Sequence, residues 1–152
     1  MSNGWELLKT ISDRIGGGIP DLAQAYKNAA ARRHSAAHTA NFQYNHAWLA
    51  NLKNEIIAID ASLDIAITAR CRQVSGSPGI KLDVHDINSV LNFRFLEYEN
   101  GIYKETKQIG GRSKKNWSNL TAAINFIQPS LNQKKEFLII LNSSKRIEDW
   151  HS

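Results

Sequence analysis

The first sixty residues place their apolar side chains at helical spacing. In the first stretch these positions recur at intervals of three or four: Leu7, Leu8, Ile11 and Ile15. Residues 16–18 are three glycines, so we predict a short amphipathic helix that ends there. We expect a second helix to start near Pro20 and Asp21, because proline suits a first helical turn and an acidic side chain complements the helix dipole.

No proline or glycine interrupts residues 21–75, and apolar positions continue at helical spacing as far as Ile59. We therefore predict one long amphipathic helix that ends near Asp60. In its first half Ala29, Ala37 and Ala40 would allow the first helix, or a second copy of the protein, to approach closely. Its second half is expected to insert its large side chains into the main core: Trp48, Leu52, Ile56 and Ile59.

After residue 60 apolar side chains recur at every second residue, as in a strand, instead of every third or fourth. Residues 63–70 alternate as a half-buried strand does, although continued helix is also compatible with their alanine and leucine content. Residues 80–84 form a second short alternating segment. The runs 91–98 and 102–109 flank Asn100-Gly101, which is the strongest short-range signal for a β-hairpin.

The last third of the chain predicts a loop, a helix and a strand. Residues 110–115 contain two glycines and three basic residues and are expected to form a flexible loop. A further amphipathic helix should begin near Asn116 and end before Pro129. Residues 136–141 should form a buried strand. The fold class is therefore α+β in a single domain, residues 1–152. A helical hairpin with one long helix (2–60) precedes a small, mostly antiparallel sheet with a C-terminal helix and a final strand (61–152).

Composition is that of a globular protein: of 152 residues, 42% are hydrophobic and 22% charged. The single cysteine, Cys71, excludes an intramolecular disulfide and a multi-cysteine zinc site, and we expect it to be a buried or half-buried thiol in a cytoplasmic protein. The N-terminus does not resemble a classical signal, and no window has the apolar length of a membrane span. No membrane partner is expected.

The net charge of +5 is concentrated in one segment. Its cations oppose only Glu105: Lys104, Lys107, Arg112, Lys114 and Lys115. Tyr103 and Trp117 bracket the segment and have rings on which exposed bases can stack. Basic side chains follow phosphates, so we predict that residues 104–117 bind DNA or RNA, with Trp117 taking part.

A metal-dependent nuclease is the second functional hypothesis for the same region. The order of helix, antiparallel strands, helix and strand resembles the core of the PD-(D/E)xK nucleases, in which strand carboxylates bind a divalent metal and a lysine positions the attacking water. Glu105 and Lys107 have the ExK spacing, Asp83 lies on the preceding short segment, and Glu55 offers a further carboxylate. A divalent cofactor is expected only under this alternative.

Three histidines cluster in the long helix. His34 and His38 lie four residues apart, as in some zinc sites, while His46 diverges by roughly 80° on the helical wheel. Asn41 and Asn45 share the polar face of the pair. We predict a polar face rather than a metal site, with completion by His85 or a second subunit left open.

A third alternative is an interaction or assembly protein that uses the long helix, including as a homo-oligomer. The alanine stripe, the polar histidine face and the aromatics Phe42 and Tyr44 favour this alternative. Signatures of nucleotide-hydrolysing and other common enzyme families are absent from the sequence.

Overall fold

The computed structural model describes residues 3–38, 46–76, 91–133 and 136–152. The described part contains helices and strands in the following order: α1 (Asn3–Ile15), α2 (Leu22–His38), α3 (His46–Gly76), β1 (Phe93–Glu99), β2 (Ile102–Thr106), β3 (Lys115–Trp117), α4 (Leu120–Asn132), β4 (Phe137–Leu141) and β5 (Ile147–His151). The chain has an α+β fold, as the sequence predicts. Among the described helices, none is long and apolar enough to cross a membrane.

The strands form one mixed sheet in the order β3-β2-β1-β4-β5. Neighbouring strands are antiparallel except β1 and β4, which run parallel. The predicted hairpin is confirmed: β1 and β2 pair around Asn100 and Gly101, whose φ angles are 52° and 83°. Positive φ at both central residues is the requirement of the tight hairpin turn that Asn-Gly favours.

Helices cover both faces of the sheet. On one face, Ile11 and Ile15 of α1 and Ile65 of α3 pack with Phe95 and Ile139 in a fully buried cluster. The opposite face is covered by α4, whose Ala123, Ile127 and Leu131 pack on Leu96, Leu138 and Ile140. The alternation of β1 and β4 side chains between the two clusters builds a three-layer arrangement.

The single long helix predicted to end near Asp60 is wrong: this part of the chain contains two helices, α2 and α3, which pack against each other. Helix α3 also differs from the prediction in where it ends and in its buried face. It runs through residues 61–76, so the alternating segment 63–70 is helix and not strand. Its core side chains are small or from its second half, namely Ala58, Ala61, Ile65, Ala66 and Ala69. Of the large side chains expected in the core, Ile56 is 43% exposed, and Leu52 and Ile59 are half-buried. Small residues let α3 approach α1 and the sheet closely, which turns the larger ones outward.

The C-terminal half also departs from the prediction at two places. Helix α4 begins at Leu120 with Asn119 as its N-cap, and Pro129 lies inside it rather than after it. Strands β3 and β5 were not predicted, since β3 has three residues and β5 carries Glu148 and Asp149 among its five. The predicted strand 80–84, Ala40 and the side chain of Trp48 lie outside the described residues.

Replacing Pro129 with alanine is expected to stabilise the protein by about 1 kcal/mol. Proline provides no amide hydrogen for the carbonyl four residues earlier and costs ~3 kcal/mol in a helix interior, partly offset by its stiffening of the unfolded chain. Urea unfolding of Pro129→Ala should show a higher midpoint with an unchanged slope. The neighbouring exposed substitution Gln128→Ala is the control, and a lower midpoint for Pro129→Ala would contradict the expectation.

Candidate functional site

Three aromatic side chains form a row across three adjacent strands. Tyr98 of β1 is the cross-strand partner of Tyr103 of β2, which is in turn the partner of Trp117 of β3. Cross-strand partners project from the same face of a sheet, here the face that α4 covers. The tyrosine ring centroids are 5.1 Å apart. Tyr103 and Trp117 are half-buried, whereas Tyr98 is 37% exposed.

Helix α4 and strand β3 complete this surface with an aromatic ring and a cation. Phe126 of α4 is 58% exposed, and its ring centroid lies 5.1 Å from that of Trp117. The Lys115 ammonium lies 3.8 Å from the Trp117 ring centroid and 4.2 Å from that of Phe126. We call the set Tyr98, Tyr103, Lys115, Trp117 and Phe126 the aromatic–lysine surface.

A buried carboxylate fixes the orientation of Trp117. Glu105 is 5% exposed and accepts a hydrogen bond from the Trp117 indole Nε1 (3.1 Å) and another from Arg94 (2.8 Å). Arg94 also forms an ion pair with Glu136. An indole held by a charged acceptor in a largely buried site has little rotational freedom, so Trp117 is preorganised within the surface.

The predicted basic residues separate into three environments. Arg112, Lys114 and Lys115 are exposed at the edge strand β3 or immediately before it. Lys104 donates a hydrogen bond to Glu99 at 2.7 Å, which neutralises its charge locally. Lys107 follows the end of β2 and lines a cleft of about 710 Å³ on the side where α1 packs, together with Asp13, Arg14 and Phe95.

The segment after β2 is anchored rather than flexible. Glu97 is 2% exposed and accepts hydrogen bonds from Thr106 Oγ1 (2.8 Å) and the Gly110 amide (2.9 Å), and it pairs with Lys145. The chain then forms β3, where a helix starting near Asn116 was expected. Residues 110–114 therefore form a loop between β2 and β3, as predicted, and the buried Glu97 carboxylate holds its first residue through the Gly110 amide.

The proposed catalytic residues do not form a common site within the described chain. Glu105 has its carboxylate engaged by Arg94 and Trp117, while Lys107 lines the cleft beside α1. Asp83 lies outside the described residues, and Glu55 is half-buried on α3. In an ExK site the acidic residue and the lysine project from the same side of one strand. Strand β2 ends at Thr106, so Lys107 lies after the strand and not in it.

The histidine pair behaves as the helical wheel indicates. The rings of His34 and His38 are 4.5 Å apart and both residues are exposed on α2, whereas His46 begins α3. In the described ranges no group of three or more His, Cys, Asp or Glu side chains is placed to hold a metal. His85, Asn41, Asn45, Phe42 and Tyr44 lie outside these ranges. Cys71 is exposed, contrary to the expectation of a buried or half-buried thiol.

The sequence prediction included Trp117 and the lysines but missed Tyr98 and Phe126. In a two-residue turn at Asn100-Gly101, Glu99 pairs with Ile102, and the next pair outward is Tyr98 with Tyr103. This pairing could therefore have been predicted from the position of the turn. Phe126 lies off the apolar face that Leu120, Ala123 and Ile127 define at helical spacing, and this signal of exposure was not used in the prediction. Its exposure depends on how α4 is rotated on the sheet.

Tyr103 of β2 and Glu97 of β1 have shifted pKa values. Burial, the charge of Glu148 and the neighbouring Tyr98 raise the pKa of the Tyr103 phenol, so the ring stays neutral at physiological pH. Burial alone would raise the pKa of Glu97. Hydrogen bonds from Lys145, Thr106 and the Gly110 amide, with the charge of Lys145, outweigh it and hold that pKa below its ordinary value of 4.5.

Ionised Glu97 is expected to stabilise the protein by about 2 kcal/mol at neutral pH, because a neutral side chain there would lose the buried ion pair with Lys145 and accept weaker hydrogen bonds from Thr106 and the Gly110 amide. Its folded-state pKa is depressed, so this stabilisation is present above pH 4.5 and is lost as pH falls through the folded value. Chemical unfolding of the wild type and Glu97→Gln should therefore differ at pH 7 and converge in acid. The exposed Glu148→Gln is the control, and a pH-independent difference for Glu97→Gln would contradict this account.

No protein-family model, curated protein or solved structure matches this chain.

Proposed function

We propose that this protein binds single-stranded nucleic acid at the aromatic–lysine surface. The observation that carries the proposal is the row formed by Tyr98, Tyr103 and Trp117, in register across β1, β2 and β3 and extended by the exposed ring of Phe126. Adjacent strands are roughly 4.8 Å apart, so the rings offer successive stacking positions across the sheet. Every base has a π-face, and such a surface is tolerant of sequence.

The geometry favours single strands over a duplex. In a duplex the faces of the bases are already stacked on one another, whereas unpaired bases are free to stack on protein aromatics. Tyr98 and Phe126 are 37% and 58% exposed, which allows ring contact without rearrangement of the core. Glu105 holds Trp117 in place, so little conformational entropy is lost at that ring on binding.

The charges that support phosphate contact lie beside the rings. Arg112, Lys114 and Lys115 are exposed at the β3 edge, where the chain is not covered by another strand. Lys104 is not included in the proposed interface because Glu99 already neutralises it. The net charge of +5 adds a general attraction for a polyanion.

Cleavage is not part of the proposal. The carboxylate of Glu105 accepts hydrogen bonds from Arg94 and Trp117, and this assigns it to supporting the binding surface. Lys107 lies in the cleft beside α1, away from that support. The resemblance to the PD-(D/E)xK core thus provides no argument for a reaction at this surface.

The ring contribution is tested by Phe126→Ala in a fluorescence-anisotropy titration with a labelled single-stranded oligonucleotide. Loss of one base–aromatic stack costs ~1–3 kcal/mol, so affinity should fall roughly 5- to 100-fold. Tyr26→Ala is the matched control, because Tyr26 is 53% exposed on α2 and belongs to the other layer of the molecule. Equal losses in the two variants, or tighter binding to duplex than to single strand, would contradict the proposal.

The phosphate contribution is tested by the double variant Arg112→Ala/Lys114→Ala. The slope of log affinity against log salt should become shallower by about 0.7 for each lost phosphate contact, as single strands release fewer counterions than duplexes. Lys27→Ala, which removes an exposed lysine of α2, should leave the slope unchanged. A slope that responds equally to both variants would place the contacts elsewhere on the protein.

A further inference from the structure

Helix α3 presents a regular row of side chains to solvent. Leu49, Lys53, Ile56, Asp60 and Leu63 follow one another at intervals of four, three, four and three residues, and all five are exposed. We call this set the α3 stripe. Its three apolar members are 40%, 43% and 45% exposed, and Ile67, one helical turn further, is 54% exposed. Intervals of four and three keep the side chains on one side of a helix.

The sheet cannot cover this row. The residues that α3 buries include Ala58, Ala61 and Ile65, and Ile65 lies about 180° around the helix from Ile56 at 100° per residue. The α3 stripe therefore faces directly away from the core. It extends over about 21 Å of helix, and an apolar row of that length on the surface of a monomer is unusual.

Helix α2 forms a second wall beside the α3 stripe. A groove of about 360 Å³ lies between the two helices, with Ile56 and Asp60 on one wall. The α2 wall consists of three alanines and three larger residues: Ala29, Ala30, Ala36, Tyr26, Arg32 and Arg33. Helix α2 buries only Leu22 and Ala25 along its 17 residues. The alanine positions of this wall permit a further helix to approach closely.

The order of residue types in the α3 stripe is self-complementary. Counted from Ile56, leucines stand seven residues away in both directions, a lysine stands three before and an aspartate four after. If two copies of α3 cross antiparallel at Ile56, Leu49 meets the partner's Leu63 and Lys53 meets the partner's Asp60. In a two-fold interface each such contact occurs twice. Parallel pairing would instead set Lys53 against the partner's Lys53.

We propose that a second copy of this chain covers the α3 stripe, with the two α3 helices antiparallel about a two-fold axis at Ile56. The two pairs of α2 and α3 then form a four-helix arrangement, in which the outward apolar side chains become the interface core. Opposite charges at the two symmetric positions fix the orientation and the register of the helices. The aromatic–lysine surface lies on the layer formed by the sheet and α4 and stays accessible in the dimer.

Charge reversal tests both the partner and the orientation by sedimentation equilibrium over a range of concentrations. The wild type should be a dimer. Lys53→Asp alone and Asp60→Lys alone should each weaken the dimer roughly tenfold or more, because two attractive contacts become like-charge contacts. The double variant Lys53→Asp/Asp60→Lys should restore the wild-type dissociation constant. Both positions are exposed, and circular dichroism should show unchanged helix content in every variant.

Mixing the two single variants provides the sharper test. One chain then carries two acids in its α3 stripe and the other carries two bases, so every charged contact between unlike chains is attractive. The mixture should form a heterodimer at concentrations at which each variant alone is monomeric. Lys27→Asp, a reversal on exposed α2 outside the groove lining, is the control and should not change the mass.

Orientation is read from disulfide trapping in a Cys71→Ser background. Leu49→Cys mixed with Leu63→Cys should give a crosslinked heterodimer, whereas parallel pairing would crosslink each variant with itself. A monomeric wild type, a dimer whose mass ignores the single reversals, or self-crosslinking of the single-cysteine variants would each overturn the proposal. Oligonucleotide binding is measured separately, so its presence or absence does not decide the outcome.

Discussion

Strand β4 has no face that meets solvent. Phe137, Ile139 and Leu141 pack in the cluster formed with α1 and α3, while Leu138 and Ile140 pack under α4. Burying five large apolar side chains is worth on the order of 10 kcal/mol before entropic costs, and this is available only if helices cover the sheet on both sides. Parallel pairing with β1 follows, since α4 must cross over one face before the chain returns as β4.

Two buried carboxylates fix the positions of segments that the apolar layers do not hold in place. Glu97 and Glu105 project from opposite faces of neighbouring strands, and both carboxylates are buried and hydrogen-bonded. Glu97 ties the turn after β2 to the β4–β5 connection through Gly110 and Lys145. Glu105 orients Trp117 at the sheet edge. Unpaired carboxylates in these positions would be strongly unfavourable, so each one specifies where its partners must lie.

The three layers separate the two surfaces to which we assign roles. Rings and cations gather on the sheet and α4, where bases and phosphates are proposed to bind, and the α3 stripe lies on the far side of the helical layer. Binding at one surface leaves the other free. A two-fold dimer would carry two nucleic-acid surfaces, and linked sites increase apparent affinity for any strand long enough to reach both.

Elements with strong local signals can be predicted from their residue types alone. Asn100-Gly101 requires positive φ at two successive residues, and residues 137–141 are apolar throughout, so the hairpin and the buried strand follow directly from residue type. The concentration of cations between residues 104 and 115 and the stacking potential of Tyr103 and Trp117 were equally visible.

Which apolar side chains are buried and which are exposed depends on packing between elements that are distant in the sequence. Ile56 has the helical spacing of a core residue, yet small alanines pack α3 closely to its neighbours and leave Ile56 43% exposed. The tertiary structure also gave Glu105 its role beside Trp117 and brought Glu97 next to Lys145, 48 residues away. Periodicity defines an apolar face for each helix, but packing against distant residues selects the direction of that face and the partner of each buried charge.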